Sequence, residues 1–347
     1  MRTNTPPTGA FRGCGGPQSE FAMDMLMSHI ADELGVDELE FKLMHMAEKG
    51  KCTPTGAAYY YDVPLPRMLE MAEKATDYSV KRACYARIGS GILRQGIGIA
   101  FGNHGAPLGG DTEWKYLKPK VRMKKTADGS VEIFTGQTEL GQGIRTAFCK
   151  IAATALEIPF EKVSTPYPNL DITADTGPTA ASRSVISVGK VVESAVLELK
   201  KIWKDGEEQE VVAEYRRPEH GADFDASTMT GVQYDDWSWS VVVVEVLVDI
   251  LTGNIQIKNA HGVYNLGTPI DENILTGAAV NYSEAVDNPL IPDIMKTAIH
   301  KVAGPAVRNY GTFCGNLANA SGKAAVLWWI WCWTQSSAYD PGALSAW

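Results

Sequence analysis

Apolar residues in the first part of the chain recur at helical spacing. Between Ser19 and Leu34 they lie three or four positions apart, which predicts an amphipathic helix with Ser19 as its N-cap. Asp37 is followed three residues later by Glu40, a capping-box spacing that predicts a second helix. Residues 66–75 predict a third. The N-terminal part of the chain is therefore expected to be helical.

From Gly91 onward the pattern changes to glycine-rich and alternating segments. It predicts strands at 131–134, 210–215, 237–250 and 254–258, and helices at 144–157 and 187–204. Thr252-Gly253, between the last two strands, predicts a hairpin turn. Helices and strands alternate in blocks, so the expected fold class is α+β with mixed sheets. We also expect residues 90–200 to form one compact unit.

Composition and charge restrict the partners of the chain. Its 347 residues suffice for about two domains. The net charge of -9, with no cluster of basic residues, argues against nucleic acid as a partner. The six cysteines are scattered and lack zinc or iron–sulfur spacing, which favours a reducing, cytoplasmic location and no direct side-chain metal ligation. Neither a signal peptide nor a membrane-spanning run is indicated, so no membrane association is expected.

Two glycine-rich segments are candidates for ligand binding. In residues 9–18, GAFRGCGGPQ, glycines surround Arg12, whose guanidinium would offer paired donors to an anion. Residues 136–143, GQTELGQG, lie between a predicted strand and a predicted helix. Backbone N–H groups at a helix start can hold a phosphate, and the Gln142 amide can both donate and accept. Considered singly, the first segment is more typical of a surface turn, and the second is equally typical of a structural turn.

A third candidate segment, residues 176–184, has the sequence TGPTAASRS and also precedes a predicted helix. Its small residues and hydroxyls could line an anion pocket. The simpler interpretation is that Ser184 or Ser187 serves as a helix N-cap.

In order and separation, these three segments resemble motifs of the molybdopterin-binding large subunit of the xanthine dehydrogenase and aldehyde oxidase family. The likeness covers roughly residues 1–275 and extends to the flanking sequences DGSVEIFTGQTELGQGIRT, LEIPFEKV, YDDWSWSVVVVEVLVDILTGNIQI and VYNLGTPID. It implies the α+β fold of the molybdopterin-binding domain, incomplete at both ends. Two subdomains are expected, with a boundary near residues 85–90 or 205.

The resemblance implies a molybdenum hydroxylase, which hydroxylates a small-molecule aldehyde or N-heterocycle with oxygen from water. Electrons would pass to iron–sulfur and FAD-binding subunits or domains. The pterin dithiolene, and no side chain, would hold the metal, and Arg12 would be the catalytic residue. The implied cofactor-binding residues are Phe11, Arg12, Gly141, Gln142, Gly143, Thr179, Ala180, Ala181 and Ser182. Because one cofactor would be shared, residues 139–143 and 176–183 are expected to lie close together.

The C-terminal part resembles another domain of the same enzymes. Residues 305–321, PAVRNYGTFCGNLANAS, are similar to a motif of the FAD-binding subunit that surrounds the flavin diphosphate. The resemblance implies an FAD-binding fragment at 276–325, with an incomplete flavin site, and leaves the Trp-rich residues 326–347 unassigned. Its implied flavin-binding residues are Arg308, Asn309, Gly311, Thr312, Gly315 and Asn316.

Several departures from the family pattern leave alternatives open. Cys14 stands where the family has a phenylalanine that stacks on the substrate, and a thiol offers no aromatic face. The family's first glycine-rich loop and its G-x-G-E motif, which supplies the general base, have no counterpart here. The interpretations are therefore a molybdenum hydroxylase subunit or fragment, a non-catalytic remnant or assembly module, and a flavin-binding module. The isolated chain is expected to be inactive.

Overall fold

The computed structural model describes residues 4, 9, 13, 15–87, 91–217, 224–271 and 296. The helices are α1 (Gly16–Leu34), α2 (Glu38–Met44), α3 (Leu65–Thr76), α4 (Tyr78–Arg87), α5 (Ile144–Leu156) and α6 (Lys190–Ile202). The strands are β1 (Leu93–Ala106), β2 (Lys120–Lys125), β3 (Val131–Phe134), β4 (Val163–Ser164), β5 (Gln209–Glu214), β6 (Asp236–Asp249) and β7 (Ile255–Asn265). The predicted α+β class with mixed sheets is confirmed.

The first of two units is a sheet of order β4-β3-β2-β5 covered by α5 and α6, here called the four-stranded unit. β3 and β4 are parallel, and the other pairs are antiparallel. Burial along β2 alternates, because Val121 and Met123 face the helices and Arg122 does not. Phe148 of α5 and Leu199 of α6 are fully buried in the same core.

The second unit is a sheet of order β1-β6-β7 with the helices α1–α4, here called the three-stranded unit. β1 pairs with β6 over its whole length, from Leu93 opposite Asp249 to Ala106 opposite Asp236. The expectation that residues 90–200 form one compact unit is therefore wrong for β1. The alternating side chains of β1 pair with a strand far along the chain, which local pattern does not reveal. The predicted subdomain boundaries stay predictions.

Two helix starts show how local signals succeed and fail. Asp37 caps α2 as predicted, since its carboxylate accepts from the N–H groups of Leu39 at 2.9 Å and Glu40 at 3.2 Å. Ser19 does not cap α1, which starts three residues earlier. Gly15 precedes α1 in the left-handed region at φ 87°, and Ser19 donates its hydroxyl back to the carbonyl of Gly15.

A buried lysine ties the N-terminal helices to the sheet. The Lys42 ammonium lies 2.9 Å from Asp24 and 2.7 Å from Glu38, and it donates to the carbonyl of Ile99 at 3.2 Å. Burial opposes ionisation of Glu38, but the bonds from Lys42 and Ser28 outweigh it and lower the pKa of Glu38. Lys42 thus links α1, α2 and β1. Within the described ranges, no helix has the length and apolar character needed to cross a bilayer.

Candidate functional site

The two loops singled out in the sequence lie side by side in the four-stranded unit. One runs from β3 to α5, and the other leads into a short helical segment, Ser184–Gly189, that continues as α6. The N–H of Thr138 donates to the hydroxyl of Thr179 at 2.8 Å. The prediction that residues 139–143 and 176–183 lie close together is confirmed.

Gln137 joins these loops from inside. Its side chain is 2% exposed, and its amide nitrogen donates to the Thr176 hydroxyl at 3.1 Å and the Gly177 carbonyl at 3.0 Å. The hydroxyl of Ser184 donates to the Gln137 amide oxygen at 2.5 Å. The amide therefore bonds on both sides, which fixes the distance between the loops.

The N-cap interpretation of the third segment is wrong for both serines. Ser184 uses its hydroxyl on Gln137, and the buried Ser187 hydroxyl has no partner among the described residues. The short helical segment begins after Arg183 without any side-chain cap. Ser184 therefore stabilises the contact between the loops, and Ser187 lies in the core. Neither hydroxyl caps the helix by accepting from its backbone N–H groups.

Arg183 anchors the 176–182 loop and is fully buried. Its guanidinium meets both carboxylate oxygens of Glu113, at 2.7 and 2.8 Å. The remaining nitrogen donates to the carbonyls of Thr176 at 2.7 Å and Pro178 at 2.8 Å. The charge is thus paired and its donors are used, as a buried arginine requires.

The start of α5 already holds an anion from the chain itself. The Glu139 carboxylate accepts from the N–H groups of Gly141 and Gly143 at 2.9 Å each, and of Arg145 at 3.3 Å. Burial opposes ionisation of Glu139, but these backbone donors prevail and lower its pKa. The sequence suggested a phosphate here, and the carboxylate of Glu139 takes that place.

Gln142 is exposed, but its amide is turned onto its own loop. It accepts from the N–H of Leu140 at 2.5 Å and donates to the carbonyl of Thr138 at 2.9 Å. Gly141 and Gly143 are also exposed, and a Cβ added at Gly143 would meet nothing within 4 Å. This segment therefore presents bare backbone to open space.

The neighbouring loop presents a similar surface in an unusual backbone conformation. Ala180, Ala181 and Ser182 are exposed, and Ala181 and Ser182 lie in the left-handed region at φ 50° and 56°. That region costs a residue with a side chain about 1–2 kcal/mol. Such strain persists only where surrounding contacts impose it, and it concentrates at functional sites.

A half-buried hydrogen-bonded pair, Asp235 and Tyr215, lies next to the anchor of this loop. Burial raises the pKa of Asp235, the hydroxyl donated by Tyr215 at 2.8 Å opposes the rise, and the charge of Glu113 adds to it. Tyr215 directly follows β5 and Asp235 directly precedes β6, so this hydrogen bond connects the two units. The loop anchor is thus set where the units meet.

Several predicted site residues fall outside the described part of the chain. They are Phe11, Arg12, Cys14 and the flavin-like set Arg308, Asn309, Gly311, Thr312, Gly315 and Asn316. Conversely, sequence reasoning did not single out Glu113, Gln137, Glu139 or Arg183. Three of these four stand inside the quoted motifs, and only Glu113 comes from a segment that carries no motif.

The exposed groups of the two loops fit a pterin. Apart from Glu139, whose carboxylate takes the N–H groups of Gly141 and Gly143, they are neutral and mixed, with backbone groups, hydroxyls and one carboxamide. A pterin edge also carries both donors and acceptors. In the described part of the chain, no cluster of three or more histidine, cysteine or acidic side chains is arranged to ligate a metal.

A sizeable cavity in the described part lies elsewhere. It measures about 430 Å³ between α1, α2 and the sheet of the three-stranded unit, and Glu20, Met27, Lys42 and Trp239 are among its lining residues. None of the loop residues lines it. We therefore place the candidate site at the loops, where the strained backbone and the exposed donors converge.

Comparison with protein families gives three matches. Residues 71–279 match the molybdopterin cofactor-binding domain, and residues 1–46 match a second family of the same description. Residues 255–331 match the FAD binding domain in molybdopterin dehydrogenase. The first match covers more than half of the chain and includes both candidate loops.

Curated relatives are longer proteins. The xanthine dehydrogenase molybdenum-binding subunit of Escherichia coli O157:H7 is 30% identical over 206 residues, which are 58% of this chain and 26% of that protein. The aldehyde oxidoreductase of Megalodesulfovibrio gigas is 27% identical over 287 residues, 77% of this chain and 30% of that protein. This chain therefore spans less than a third of the length of either relative.

Solved structures share the fold. The aldehyde oxidoreductase of Desulfovibrio desulfuricans superposes with a TM-score of 0.66 at 21% identity, covering 87% of this chain and 34% of that chain. A Cu,Mo-CO dehydrogenase gives a TM-score of 0.65 at 17% identity, covering 80% of this chain and 41% of that chain. At such low sequence identities, the likeness shows a shared fold and nothing beyond it.

Proposed function

The chain belongs to the molybdopterin cofactor-binding domain family, and from that premise we propose that it acts as part of the large subunit of a molybdenum hydroxylase. Such an enzyme hydroxylates an aldehyde or N-heterocycle with oxygen from water. One observation supports this most strongly: the bond between Thr138 and Thr179 joins two exposed, polar loops inside the matched segment. The electron acceptors would be iron–sulfur and FAD-binding partners.

We assign the pyranopterin to the surface formed by the two loops. The residues proposed to hold it are Gly141, Gln142, Gly143, Thr179, Ala180, Ala181 and Ser182. When bound, the cofactor would supply the redox-active metal. The chain's own residues would hold the pterin edges through backbone groups and hydroxyls and keep the loops at a fixed separation.

The charge of Glu139 limits how a phosphate could be held at this surface. The N–H groups at the start of α5 donate to Glu139, whose carboxylate repels a second anion nearby. A cofactor phosphate would therefore be held from the 179–182 side or by Arg12, the proposed catalytic residue. Phe11 is proposed beside it.

The C-terminal match supports a flavin-binding role for residues near 308–316, within the matched range 255–331. The proposed flavin-contacting residues are Arg308, Asn309, Gly311, Thr312, Gly315 and Asn316. Flavin absorbance in the purified full chain would support this assignment. A preparation from a flavin-replete host that shows none would oppose it.

Metal and pterin analysis tests the main proposal. The full chain, expressed in a host that makes molybdenum cofactor, should carry molybdenum and a fluorescent pterin oxidation product. Gln142→Ala should lower both contents at unchanged fold, because it removes two hydrogen bonds that shape the loop, each contributing about 1 kcal/mol.

The matched control is Gln256→Ala, on the exposed β7 strand of the other unit. It removes the same side chain away from the loops and should leave both contents unchanged. Equal losses in the two variants would contradict the assignment of the loops, and a wild-type chain without molybdenum and pterin would contradict the proposed function.

A further inference from the structure

We infer that Arg183 and Glu113 are positioning residues, which set the shape of the 176–182 loop on which the pterin is proposed to rest. The inference rests on the proposed function of that loop. Neither side chain belongs to the exposed surface, since Arg183 is 0% and Glu113 2% exposed. They would act through the backbone that Arg183 holds.

The donors of Arg183 are divided between its ion-pair partner and the loop. Two nitrogens meet Glu113 in a parallel fork at 2.7 and 2.8 Å. The third donates to the carbonyls of Thr176 and Pro178 at 2.7 and 2.8 Å. The loop therefore folds around the guanidinium, and Glu113 fixes how that guanidinium is turned.

The backbone of the loop is shaped to admit this contact. Gly177 has φ 69°, and a Cβ added there would lie 3.2 Å from a guanidinium nitrogen. The Arg183 N–H also bonds the Ala180 carbonyl at 3.2 Å. Ala181 and Ser182 therefore lie in a short stretch of backbone whose preceding residues, Pro178 and Ala180, are both bonded to Arg183. These bonds account for the left-handed conformation of the two residues.

Glu113 places this contact relative to the rest of the molecule. It lies in the short helical segment Thr112–Leu117, and just before that segment the Gly110 N–H bonds the Gln233 carbonyl near β6 at 2.7 Å. This bond fixes the position of the Glu113 carboxylate relative to the three-stranded unit. The loop of one unit takes its position from a residue that the other unit holds.

Stability alone does not explain a buried ion pair here. Replacing such a pair with apolar side chains of similar volume is often neutral or stabilising. An apolar pair cannot, however, donate to the carbonyls of Thr176 and Pro178. Positioning and stability are therefore separable in suitable variants.

The test uses the full chain with three measurements: the thermal unfolding midpoint, hydrogen exchange of residues 176–182, and molybdenum and pterin content. Arg183→Lys keeps the charge but loses the fork. We expect faster exchange in the loop, unchanged exchange in β2 and β3, and about 10- to 100-fold weaker retention of the cofactor.

The double variant Glu113→Leu/Arg183→Met should lower the midpoint no more than Val196→Ala does, and still lose loop protection and cofactor. The matched control Val196→Ala removes a fully buried side chain of α6 and should lower the midpoint while retaining cofactor per folded molecule. This divergence is the readout that a merely structural role does not produce.

Wild-type exchange and cofactor content in both Arg183 variants would overturn the inference. Loss of cofactor in Val196→Ala in proportion to its midpoint would also overturn it, since the pair would then act through stability. A wild-type chain lacking molybdenum and pterin would overturn the proposed function instead. The exchange measurement needs no cofactor and decides the loop's dependence on the pair in every case.

Discussion

The two units differ in how completely they bury their apolar residues. In the four-stranded unit, Phe148 of α5 and Val192 of α6 are 0% exposed. In the three-stranded unit, α1 has Ala31 as its buried residue, while Phe21 is 69% and Leu26 52% exposed. The candidate loops are attached to the better-packed unit. A site that must hold a ligand in fixed geometry needs such rigid support.

This difference is tested first by removing one ring from each unit. Phe148→Ala should destabilise the chain by about 3–5 kcal/mol, because it leaves a cavity in a closed core. Phe21→Ala should change stability by less than about 0.5 kcal/mol, because the ring is already largely in water. Denaturant unfolding measures both. Similar losses from the two changes would show that α1 packs more tightly than its exposure indicates.

In the three-stranded unit, the buried Lys42 is expected to contribute substantially to stability. Lys42→Met should cost about 1–3 kcal/mol, because Asp24 and Glu38 lose their shared cation and the Ile99 carbonyl loses its donor. Lys49→Met, which breaks the exposed pair with Asp62, is the control and should cost less than about 1 kcal/mol. Equal losses of unfolding free energy for the two variants in urea would contradict the role of Lys42 as the link between α1 and the sheet.

A smaller effect is expected in the four-stranded unit at Gly177. Gly177→Ala should cost about 1–2 kcal/mol for the left-handed backbone, plus the displacement of the Arg183 guanidinium. Gly206→Ala has a similar φ of 76° with nothing within 4 Å of the added Cβ, so it shows the backbone cost alone. The difference in unfolding free energy isolates the contact with Arg183. A difference near zero would mean that the loop opens without penalty.

The smallest expected effect is at Glu139, and it depends on pH. The folded chain lowers the pKa of Glu139, so its stabilising effect is present above the unfolded value of about 4.3 and is lost as pH falls through the folded pKa. Glu139→Gln should lower stability at pH 7 by about 1 kcal/mol, and the difference should shrink below about pH 4. A difference that stays constant between pH 7 and pH 3 would rule out the ionised cap.

The sequence predicts those parts of the molecule that are encoded locally. The Asp37 cap, the helix at Ile144–Leu156 and the hairpin at Thr252-Gly253 follow from neighbouring residues, and the structure confirms them. The left-handed start of α1 was not predicted, because Gly15 and Ser19 offer competing signals. The pairing of β1 with β6 was not predicted either, because partners so distant leave no trace in local periodicity.

The candidate site divides in the same way. The order of motifs predicted that the two loops meet, and the bond between Thr138 and Thr179 confirms it. The acidic residue that fills the start of α5 was not predicted, although Glu139 stands only five residues before Ile144. A charged side chain near a helix start competes with any outside anion for the same amides. Glu113 was not predicted either, because its contact with Arg183 joins residues far apart in the sequence.

The long pairing of β1 with β6 has a consequence for how the chain folds. All strands and helices of the four-stranded unit lie between β1 and β6 in the sequence. Pairing of β1 with β6 therefore closes a very long loop of the chain. If β2 to β5 collapse first, the ends of that loop are brought together and the entropy lost on closure falls. We therefore expect the sheet β1-β6-β7 to form late. Proteins rich in such distant contacts fold slowly and expose unpaired strand edges meanwhile, which makes aggregation during refolding the hazard to watch.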